Sequence, residues 1–257
     1  MALFPPLLPD EKLEQVNENI RLISKKDGLS FGTDAFLLAA YIARSPSSVA
    51  VDLGSGTGIL PLLLLAREKV GRAVAIEVQE AFGDLIERNA SLNQMQEKLE
   101  VLRCDLRTFP SAALPAEYAD IVLSNPPYMK ADSGRANESQ AKFIARHEIC
   151  GDIFDFCHTA SSLLKYGGKF YCVYRPDRLI DLLDAMRKNA LEPKKMTLVH
   201  ATTSSAPSMA LIEAKKGASP SLILTRPLFL TKQDKTTQTE DAARIYETCS
   251  FEDFWKV

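Results

Sequence analysis

Hydrophobic residues occur along this chain in two patterns that alternate from about residue 49 onward. Short runs rich in aliphatic residues are followed by amphipathic stretches that are long enough to form helices. This alternation is typical of a parallel α/β sheet whose strands are joined by crossover helices. We predict strands over residues 48–53, 73–77, 99–104, 119–124 and 169–174, and helices over residues 34–43, 59–69, 79–92, 153–166 and 177–189.

Two further features complete the predicted sheet. Gly167 and Gly168 follow the helix over 153–166, and glycine permits the left-handed conformation with which many helices end. The last two strand-like runs, 196–201 and 209–214, are separated only by a short segment rich in serine, threonine and proline. So few residues cannot contain a crossover helix, and we therefore predict that these two strands are antiparallel.

The turn after the first strand has glycine at every second position, at Gly54, Gly56 and Gly58. Small residues let a ligand approach the backbone closely, and the N–H groups at the start of the next helix face that ligand. A dinucleotide-binding fingerprint would need its third glycine one position later, where Ile59 stands. The turn therefore predicts a cofactor site of another kind, with a purely structural tight turn as the alternative.

Acidic residues at the ends of the first three strands strengthen the cofactor hypothesis. We expect Asp52 to orient the glycine turn and the amino-acid end of the cofactor. Glu77 ends the second strand about twenty residues after the glycines, where a carboxylate can accept both ribose hydroxyls of an adenosyl group. Asp105 could accept from the adenine amino group while the Leu106 N–H donates to the ring. The alternatives are an exposed acid for Glu77 and an N-cap for Asp105.

The motif Asn125-Pro126-Pro127-Tyr128 directly follows the fourth strand, at the sheet edge where ligands bind in open α/β folds. The Asn125 side-chain oxygen and the Pro126 carbonyl could hold the two N–H bonds of a delocalised amino group. Its lone pair would then point at the methyl group of S-adenosylmethionine. Tyr128 would stack on a planar substrate. The alternative is a Pro-Pro loop capped by Asn125, with Tyr128 in the core.

Composition adds limits to this interpretation. The chain has 257 residues, with 31 Lys and Arg against 33 Asp and Glu, so a nucleic-acid partner must be bound by a local basic surface. The five cysteines include no Cys-x-x-Cys pair, and we predict reduced thiols and no metal site. The sequence shows neither a signal peptide nor a run long enough to span a membrane, so we expect a cytoplasmic protein without an obligate protein partner.

Several sequence blocks resemble the bacterial tRNA N6-adenine methyltransferases that modify an adenine beside the anticodon of a valine tRNA. The blocks are residues 31–35, 52–58, 125–128, 145–148, 167–170, 174–176 and 210–217. The resemblance covers most of the chain. It implies the class I methyltransferase fold, an α/β Rossmann-like architecture with a seven-stranded, mostly parallel sheet and an antiparallel C-terminal hairpin. It also implies S-adenosylmethionine as cofactor and tRNA as substrate.

In this family the segment that matches residues 31–34 covers the cofactor, which implies contacts from Gly32 and Thr33. The alternative is that Thr33 is the N-cap of the helix over 34–43. A long polar loop over 129–149 carries basic residues that could meet RNA phosphates, although a solvated loop face explains them equally well. These residues are Lys130, Arg135, Lys142 and Arg146, and Lys194, Lys195, Lys215 and Lys216 could extend the same surface.

Together these interpretations define three regions and three sets of site residues. The regions are a lead-in segment over 1–47 that covers the cofactor site, a methyltransferase domain over 48–230, and a segment over 231–257 that packs on the domain as a helix. The predicted catalytic residues are Asn125, Pro126, Pro127 and Tyr128; the predicted cofactor contacts are Gly32, Thr33, Asp52, Gly54, Gly56, Gly58, Glu77, Asp105, Leu106 and Asn125; and the predicted substrate contacts are Tyr128, Lys130, Arg135 and Arg146.

Three other functions remain open at this point. A protein glutamine N5-methyltransferase uses the same tetrapeptide, because an amide nitrogen is also delocalised, but such enzymes typically carry a long N-terminal helical domain that we do not find here. A guanine N2-methyltransferase acting on ribosomal RNA is the second alternative. The third is a catalytically silent scaffold that binds S-adenosylmethionine.

Overall fold

A computed structural model describes residues 5–26, 32–126 and 151–256. Its main sheet has the strand order β5-β4-β3-β6-β7-β9-β8-β10, and β11 also pairs with β8. The strands are β3 (Val49–Leu53), β4 (Arg72–Glu77), β5 (Leu99–Arg103), β6 (Ala119–Ser124), β7 (Leu164–Tyr174), β8 (Leu191–His200), β9 (Pro207–Lys216), β10 (Ile223–Leu224) and β11 (Leu228–Phe229). A separate hairpin consists of β1 (Glu11–Gln15) and β2 (Arg21–Lys25).

The predicted fold is confirmed. Strands β3 to β7 are parallel to one another, whereas β9 lies antiparallel between β7 and β8. The two short strands β10 and β11 add to the outer side of β8, beyond the seven strands that we predicted. Because β3 and β6 are neighbouring parallel strands in the middle of the sheet, their carboxyl ends lie next to each other.

Helices cover both faces of the sheet. They are α1 (Thr33–Tyr41), α2 (Ile59–Ala66), α3 (Glu80–Leu92), α4 (Ile153–Leu163), α5 (Leu179–Lys188), α6 (Glu240–Thr248) and α7 (Glu252–Trp255). Alternate residues of β3 enter different cores, with Ala50 on the side of α1, α2 and α3 and Val51 on the side of α4 and α5. None of the helices in the described part of the chain is both long and apolar enough to cross a membrane.

The end of α4 differs from our prediction. The helix stops at Leu163, and Leu164 already pairs with Ala119 of β6. Gly167 does have a left-handed φ of 79°, but it lies within β7, where the register with β6 shifts. The glycine therefore permits an irregular stretch of strand and does not end the helix.

The β1–β2 hairpin is held on α3 by side chains that imitate a strand partner. Asn89 accepts from the Ile23 N–H at 2.7 Å and donates to the Ile23 carbonyl at 3.0 Å. Asn93 makes the same pair of bonds with Arg21, at 3.0 and 2.8 Å. Nearby, the Arg88 guanidinium holds the pKa of the buried Glu11 carboxyl down at about 2.

The C-terminal residues form α6 and α7, which pack on the face that carries α1. Ile245, Phe251 and Phe254 are buried in the same core as α1 and α2. Tyr246 stacks on Phe36 with a ring-centroid distance of 5.0 Å. The division of the chain at residues 47 and 230 stays a prediction.

Candidate active site

The glycine turn and the Asn-Pro motif lie side by side. Asp52 of β3 pairs with Leu123 of β6, so Gly54 and Asn125 lie at the same level, two residues further along neighbouring parallel strands. The Ser124 hydroxyl donates to the Leu53 carbonyl at 2.8 Å and ties the two strand ends together. The structure therefore brings the two motifs together at the carboxyl edge of the sheet.

The three glycines of the turn all have left-handed φ angles, but their surroundings differ. The φ angles of Gly54, Gly56 and Gly58 are 73°, 57° and 79°, which other residues adopt only with strain. A Cβ atom on Gly58 would lie 2.9 Å from Cγ2 of Ile86, so this glycine lets α2 and α3 pack closely. A Cβ atom on Gly56 would have no neighbour within 4 Å. Gly56 is thus the glycine that faces open space.

The Glu77 carboxylate lies at the centre of the turn. It ends β4 and is 4% exposed. Oε2 accepts from the Gly56 N–H at 2.9 Å, and Oε1 accepts from the Gln79 N–H at 3.0 Å. The carboxylate therefore binds the loop in which Gly56 faces open space. The predicted contact of Glu77 with the ribose stays a prediction.

Asp52 combines complete burial with an unsatisfied oxygen. Ser55 donates to Oδ2 at 2.6 Å, whereas Oδ1 has no hydrogen-bond partner among the described residues. Burial raises the pKa of Asp52 to about 7, and the charge of Glu77 contributes in the same direction. A buried acceptor without a protein partner is suited to a ligand that brings a donor, so the residues present fit a cofactor with an amino group.

Asp105 has the structural role that we considered as the alternative. Its side chain caps the 3-10 helix Leu106–Thr108 and accepts from the Arg107 N–H at 2.9 Å. The Arg107 guanidinium also binds this carboxylate and lowers its pKa. Leu106 is buried, and its carbonyl accepts from the Thr159 hydroxyl at 2.9 Å. The predicted contacts of Asp105 and Leu106 with adenine stay a prediction.

Asn125 is held by a residue that our sequence analysis did not select. Its side-chain nitrogen Nδ2 donates to Oδ2 of Asp34 at 3.0 Å, although the two residues are 91 positions apart. Asp34 belongs to the sequence block over residues 31–35, which was the only signal for it. In the sequence it is an acid in the first turn of a helix, a common place for acids that interact with the helix dipole.

The start of α1 differs from one of our alternatives. Gly32 is the N-cap and Thr33 is the first helical residue, so Thr33 is not the N-cap. Burial raises the pKa of Tyr246 of α6, and the nearby Thr33 side chain opposes this shift. The predicted contacts of Gly32 and Thr33 with the cofactor stay predictions.

A cavity of about 140 Å³ lies beside Pro126, on the side of β7 and α4. It opens between the carboxyl ends of β6 and β7 and the start of α4. Burial raises the pKa of Tyr174, one of its lining residues, to about 12. The lining includes Pro126, Asp152, Phe154, Phe156, Tyr174 and Arg178.

The predicted RNA contacts divide into two groups. Tyr128, Lys130, Arg135, Lys142 and Arg146 lie outside the described residues, as does Pro127 of the predicted catalytic set. Of the other lysines, Lys215 of β9 lies opposite Lys169 of β7 in the strand register, and Lys216 donates to the Leu164 carbonyl at 2.7 Å. Both lysines lie at the edge of the sheet opposite Asn125.

The two lysines of β8 are also distant from the motif, because β8 lies three strands from β6. Lys195 lies over the Trp255 ring, with Nζ 3.4 Å from the centroid, and Lys194 donates to the Ser219 carbonyl at 2.9 Å. These four lysines therefore do not form one surface with Asn125. Among the residues of the described ranges, no cluster of three His, Cys, Asp or Glu side chains could hold a metal ion.

Comparison with known proteins agrees with this fold. The model of the methyltransferase small domain family matches residues 24–188. A solved structure of a predicted O-methyltransferase from Agrobacterium tumefaciens superposes with a TM-score of 0.70 at 22% identity, over 85% of this chain and 97% of that chain. The structure of Pyrococcus horikoshii TYW2 in complex with MeSAdo has a TM-score of 0.56 at 16% identity, over 81% and 72% of the two chains.

Two curated relatives are each named tRNA1(Val) (adenine(37)-N6)-methyltransferase. The protein from Bacteroides fragilis is 28% identical over 187 residues, which are 73% of this chain and 77% of the relative. The protein from Tolumonas auensis is 27% identical over 217 residues, which are 82% of this chain and 80% of the relative.

The family match covers more than half of the chain, and the chain therefore belongs to the methyltransferase small domain family. It is an enzyme, a methyltransferase with the class I fold, and its cofactor is S-adenosylmethionine.

Proposed function

We propose that this enzyme transfers a methyl group to the exocyclic N6 of an adenine in tRNA, beside the anticodon of a valine tRNA. The curated relatives that carry this name, at 27 to 28% identity, support the choice of substrate. The observation that carries the proposal is the juxtaposition of Asn125 and Pro126 with the glycine turn at the middle of the sheet.

The chemistry of an adenine amino group explains why this pair of residues suits it. The lone pair on N6 is delocalised into the ring, so the nitrogen is a weak nucleophile. In the proposed arrangement the Asn125 amide oxygen and the Pro126 carbonyl accept its two N–H bonds, which localises the lone pair and directs it toward the donor. S-adenosylmethionine, when bound, supplies an activated methyl group that needs no acid.

Asp52, Glu77 and Gly56 would hold the donor. The buried Oδ1 of Asp52, which has no hydrogen-bond partner in the described part of the chain, would accept from the amino group of the donor. Glu77 would accept from the ribose hydroxyls while it keeps its bonds to the loop. Gly56 would allow the donor to approach the backbone.

The cavity beside Pro126 is suited to a planar base. Its lining includes the rings of Phe154 and Tyr174, which offer flat apolar surfaces. An adenine in a folded tRNA must leave its stack before its N6 can reach Asn125, and such a pocket would receive it. Tyr128 would stack on the same base. Because tRNA is the proposed substrate, we also infer that the enzyme is cytoplasmic.

The experiment that tests the substrate uses labelled S-adenosylmethionine with total RNA and total protein from a strain that lacks the gene. We expect label in N6-methyladenosine of a valine tRNA, identified by mass spectrometry of nucleosides. Label in N2-methylguanosine of ribosomal RNA or in a protein glutamine would identify one of the alternative enzymes. No label in either fraction would contradict methyl transfer and favour a silent scaffold.

Asn125 is tested by the variant Asn125→Ala. We expect methyl transfer to fall by at least about a hundredfold, because one of the two acceptors that orient the amino group is lost. The affinity for S-adenosylmethionine, measured by calorimetry, should stay within about threefold of wild type, a change of less than 1 kcal/mol. Unchanged turnover would remove Asn125 from the catalytic role.

A further inference from the structure

The structure points to Asp34 as a positioning residue that fixes the orientation of the Asn125 amide. This inference rests on the proposed role of Asn125 as an acceptor for the substrate N–H. Asp34 lies at the start of α1 and Asn125 directly after β6, so the contact joins two elements that are distant in sequence. The Nδ2 to Oδ2 distance of 3.0 Å is that of a hydrogen bond.

The identity of the two partners determines which way the amide faces. A carboxylate oxygen accepts, and only the nitrogen of an asparagine side chain donates. The side of the Asn125 amide that faces Asp34 must therefore be Nδ2, which puts Oδ1 on the opposite side. If the Asn125 amide were flipped by half a turn, its NH₂ group would face the amino group of the substrate. Two hydrogen-bond donors would then oppose each other. Asp34 thus selects the one orientation in which Asn125 can accept.

The backbone around Asp34 holds its carboxylate in place. Oδ1 accepts from the Ala35 N–H at 2.9 Å, which leaves Oδ2 directed at Asn125. A Cβ atom on Gly32 would lie 2.3 Å from that Oδ1. The φ of Gly32 is −93°, which any residue adopts, so its glycine is required for space and not for conformation. Gly32 therefore makes room for the Asp34 carboxylate.

The central test compares Asp34→Ala with Asp120→Ala. Asp120 stands near the start of the same strand β6 and also accepts a backbone N–H, from Val49 at 2.9 Å, but it lies at the edge opposite Asn125. We expect kcat to fall by about ten- to a hundredfold in Asp34→Ala, while the Kd for S-adenosylmethionine stays within about threefold. Asp120→Ala should lower the melting temperature without a comparable loss of kcat.

Three further variants separate the orientation of the Asn125 amide from a general effect on stability. Gly32→Ala keeps Asp34 but displaces its carboxylate, and should lower kcat in the same direction. Asn125→Asp places two carboxylates side by side, and the double variant Asp34→Asn with Asn125→Asp reverses the hydrogen bond. Because the new amide can donate to the new carboxylate, we expect the double variant to be more active than Asn125→Asp alone.

A readout without turnover keeps this inference distinct from the proposed function. The side-chain NH₂ signals of Asn125 in a ¹⁵N spectrum are assigned by their loss in Asn125→Asp. They should shift in Asp34→Ala and not in Asp120→Ala. Unshifted signals, a kcat within about twofold of wild type in Asp34→Ala, or equal losses of kcat in Asp34→Ala and Asp120→Ala would each overturn the positioning role.

If the wild-type enzyme methylates another acceptor, the proposed substrate is wrong. The same comparison of kcat between the variants is then made with that acceptor. If it methylates none, the spectra alone decide, and shifted signals would still support the orientation of Asn125 by Asp34.

Discussion

The pKa of Asp52 shows how strongly the surroundings of a carboxyl group at the turn affect its ionisation. Its side chain is fully enclosed at the end of β3, and burial raises its pKa from 3.8 to about 7. Near pH 7 the group is therefore close to half protonated in the folded protein without a ligand. A ligand that donates to Oδ1 would favour the ionised form and lower this pKa again.

The pKa of Asp52 predicts how the free energy of unfolding depends on pH. Between about pH 4 and pH 7 the folded chain retains a proton that the unfolded chain has lost, so the contribution of Asp52 to stability falls as the pH rises through this window. The variant Asp52→Asn cannot ionise. Relative to wild type, it should therefore gain stability from pH 5 to pH 8, by roughly 3 kcal/mol.

Urea denaturation at pH 5 and pH 8 without cofactor measures this difference. Asp120→Asn is a matched control, because the pKa of Asp120 is lowered and its contribution changes only below pH 4. Parallel pH profiles for wild type and Asp52→Asn would show that the carboxyl group of Asp52 does not titrate in this range.

At the scale of secondary-structure elements, helix α1 is the support for Asp34, and its carboxyl end is closed by a buried lysine. Nζ of Lys69 donates to the carbonyls of Ala39, Ala40 and Ile42 at 2.8, 2.9 and 2.6 Å. Lys69 is 5% exposed, and burial lowers its pKa to about 8. Helix ends leave carbonyls without partners, and here one ammonium group satisfies three of them.

We predict that Lys69→Met lowers the free energy of unfolding by about 3 kcal/mol at pH 7, because three buried carbonyls lose their donor. Lys188→Met is the control: Lys188 is exposed, pairs with Asp184 and lies over the Phe154 ring, and its loss should cost less than about 1 kcal/mol. Chemical denaturation of both variants at pH 7 gives the comparison. Equal losses in the two variants would mean that the carbonyls find water as a substitute.

The same elements show which parts of the fold the sequence could predict. Strands β3 to β7 and the helices between them follow from local hydrophobic patterns, and the antiparallel direction of β8 and β9 follows from the shortness of their connection. The end of α4 could not be predicted from Gly167, because the pairing of Leu164 with Ala119 of a distant strand decides it. Tertiary contacts of this kind override local glycine signals.

In the candidate site, residues placed by local sequence patterns could be predicted, whereas residues placed by contacts between distant segments could not. The positions of Glu77 and Asn125 at the carboxyl edge of the sheet could be predicted, because Glu77 ends a strand and Asn125 directly follows one. Asp34 could not, since its role depends on a contact with a residue 91 positions away. The same applies to Asn89, whose side chain joins Ile23 of the N-terminal hairpin and the Thr57 carbonyl of the glycine turn.

At the scale of the whole molecule, both terminal segments reach the edge of the sheet that carries the site. The β1–β2 hairpin is joined to the glycine turn through Asn89, and α6 is joined to α1 by the stacking of Tyr246 on Phe36. Tyr41 of α1 also packs edge-on against Phe251 and Trp255, at centroid distances of 5.1 Å. Both the N-terminal hairpin and the C-terminal helices therefore contact elements next to the site.

The charge of the whole molecule leads to a prediction about RNA binding. The formal net charge is −2, so a tRNA is attracted only where basic residues are concentrated. Lys215 and Lys216 lie at the edge opposite Asn125, whereas Arg175 and Arg178 follow β7 at the edge that carries Asn125. We therefore expect the binding of tRNA to depend on a few phosphate contacts at this one edge.

Contacts with phosphates release counterions, so kcat/KM for tRNA should fall by at least about tenfold between 50 and 200 mM salt. The affinity for S-adenosylmethionine, measured over the same range, should change little, because its proposed contacts lie in the turn and not on an exposed charged surface. Arg175→Ala should reduce the steepness of the salt dependence, and Lys215→Ala, at the opposite edge, should not. A flat salt profile for methyl transfer would contradict an RNA substrate and would favour a small molecule or a protein as the acceptor.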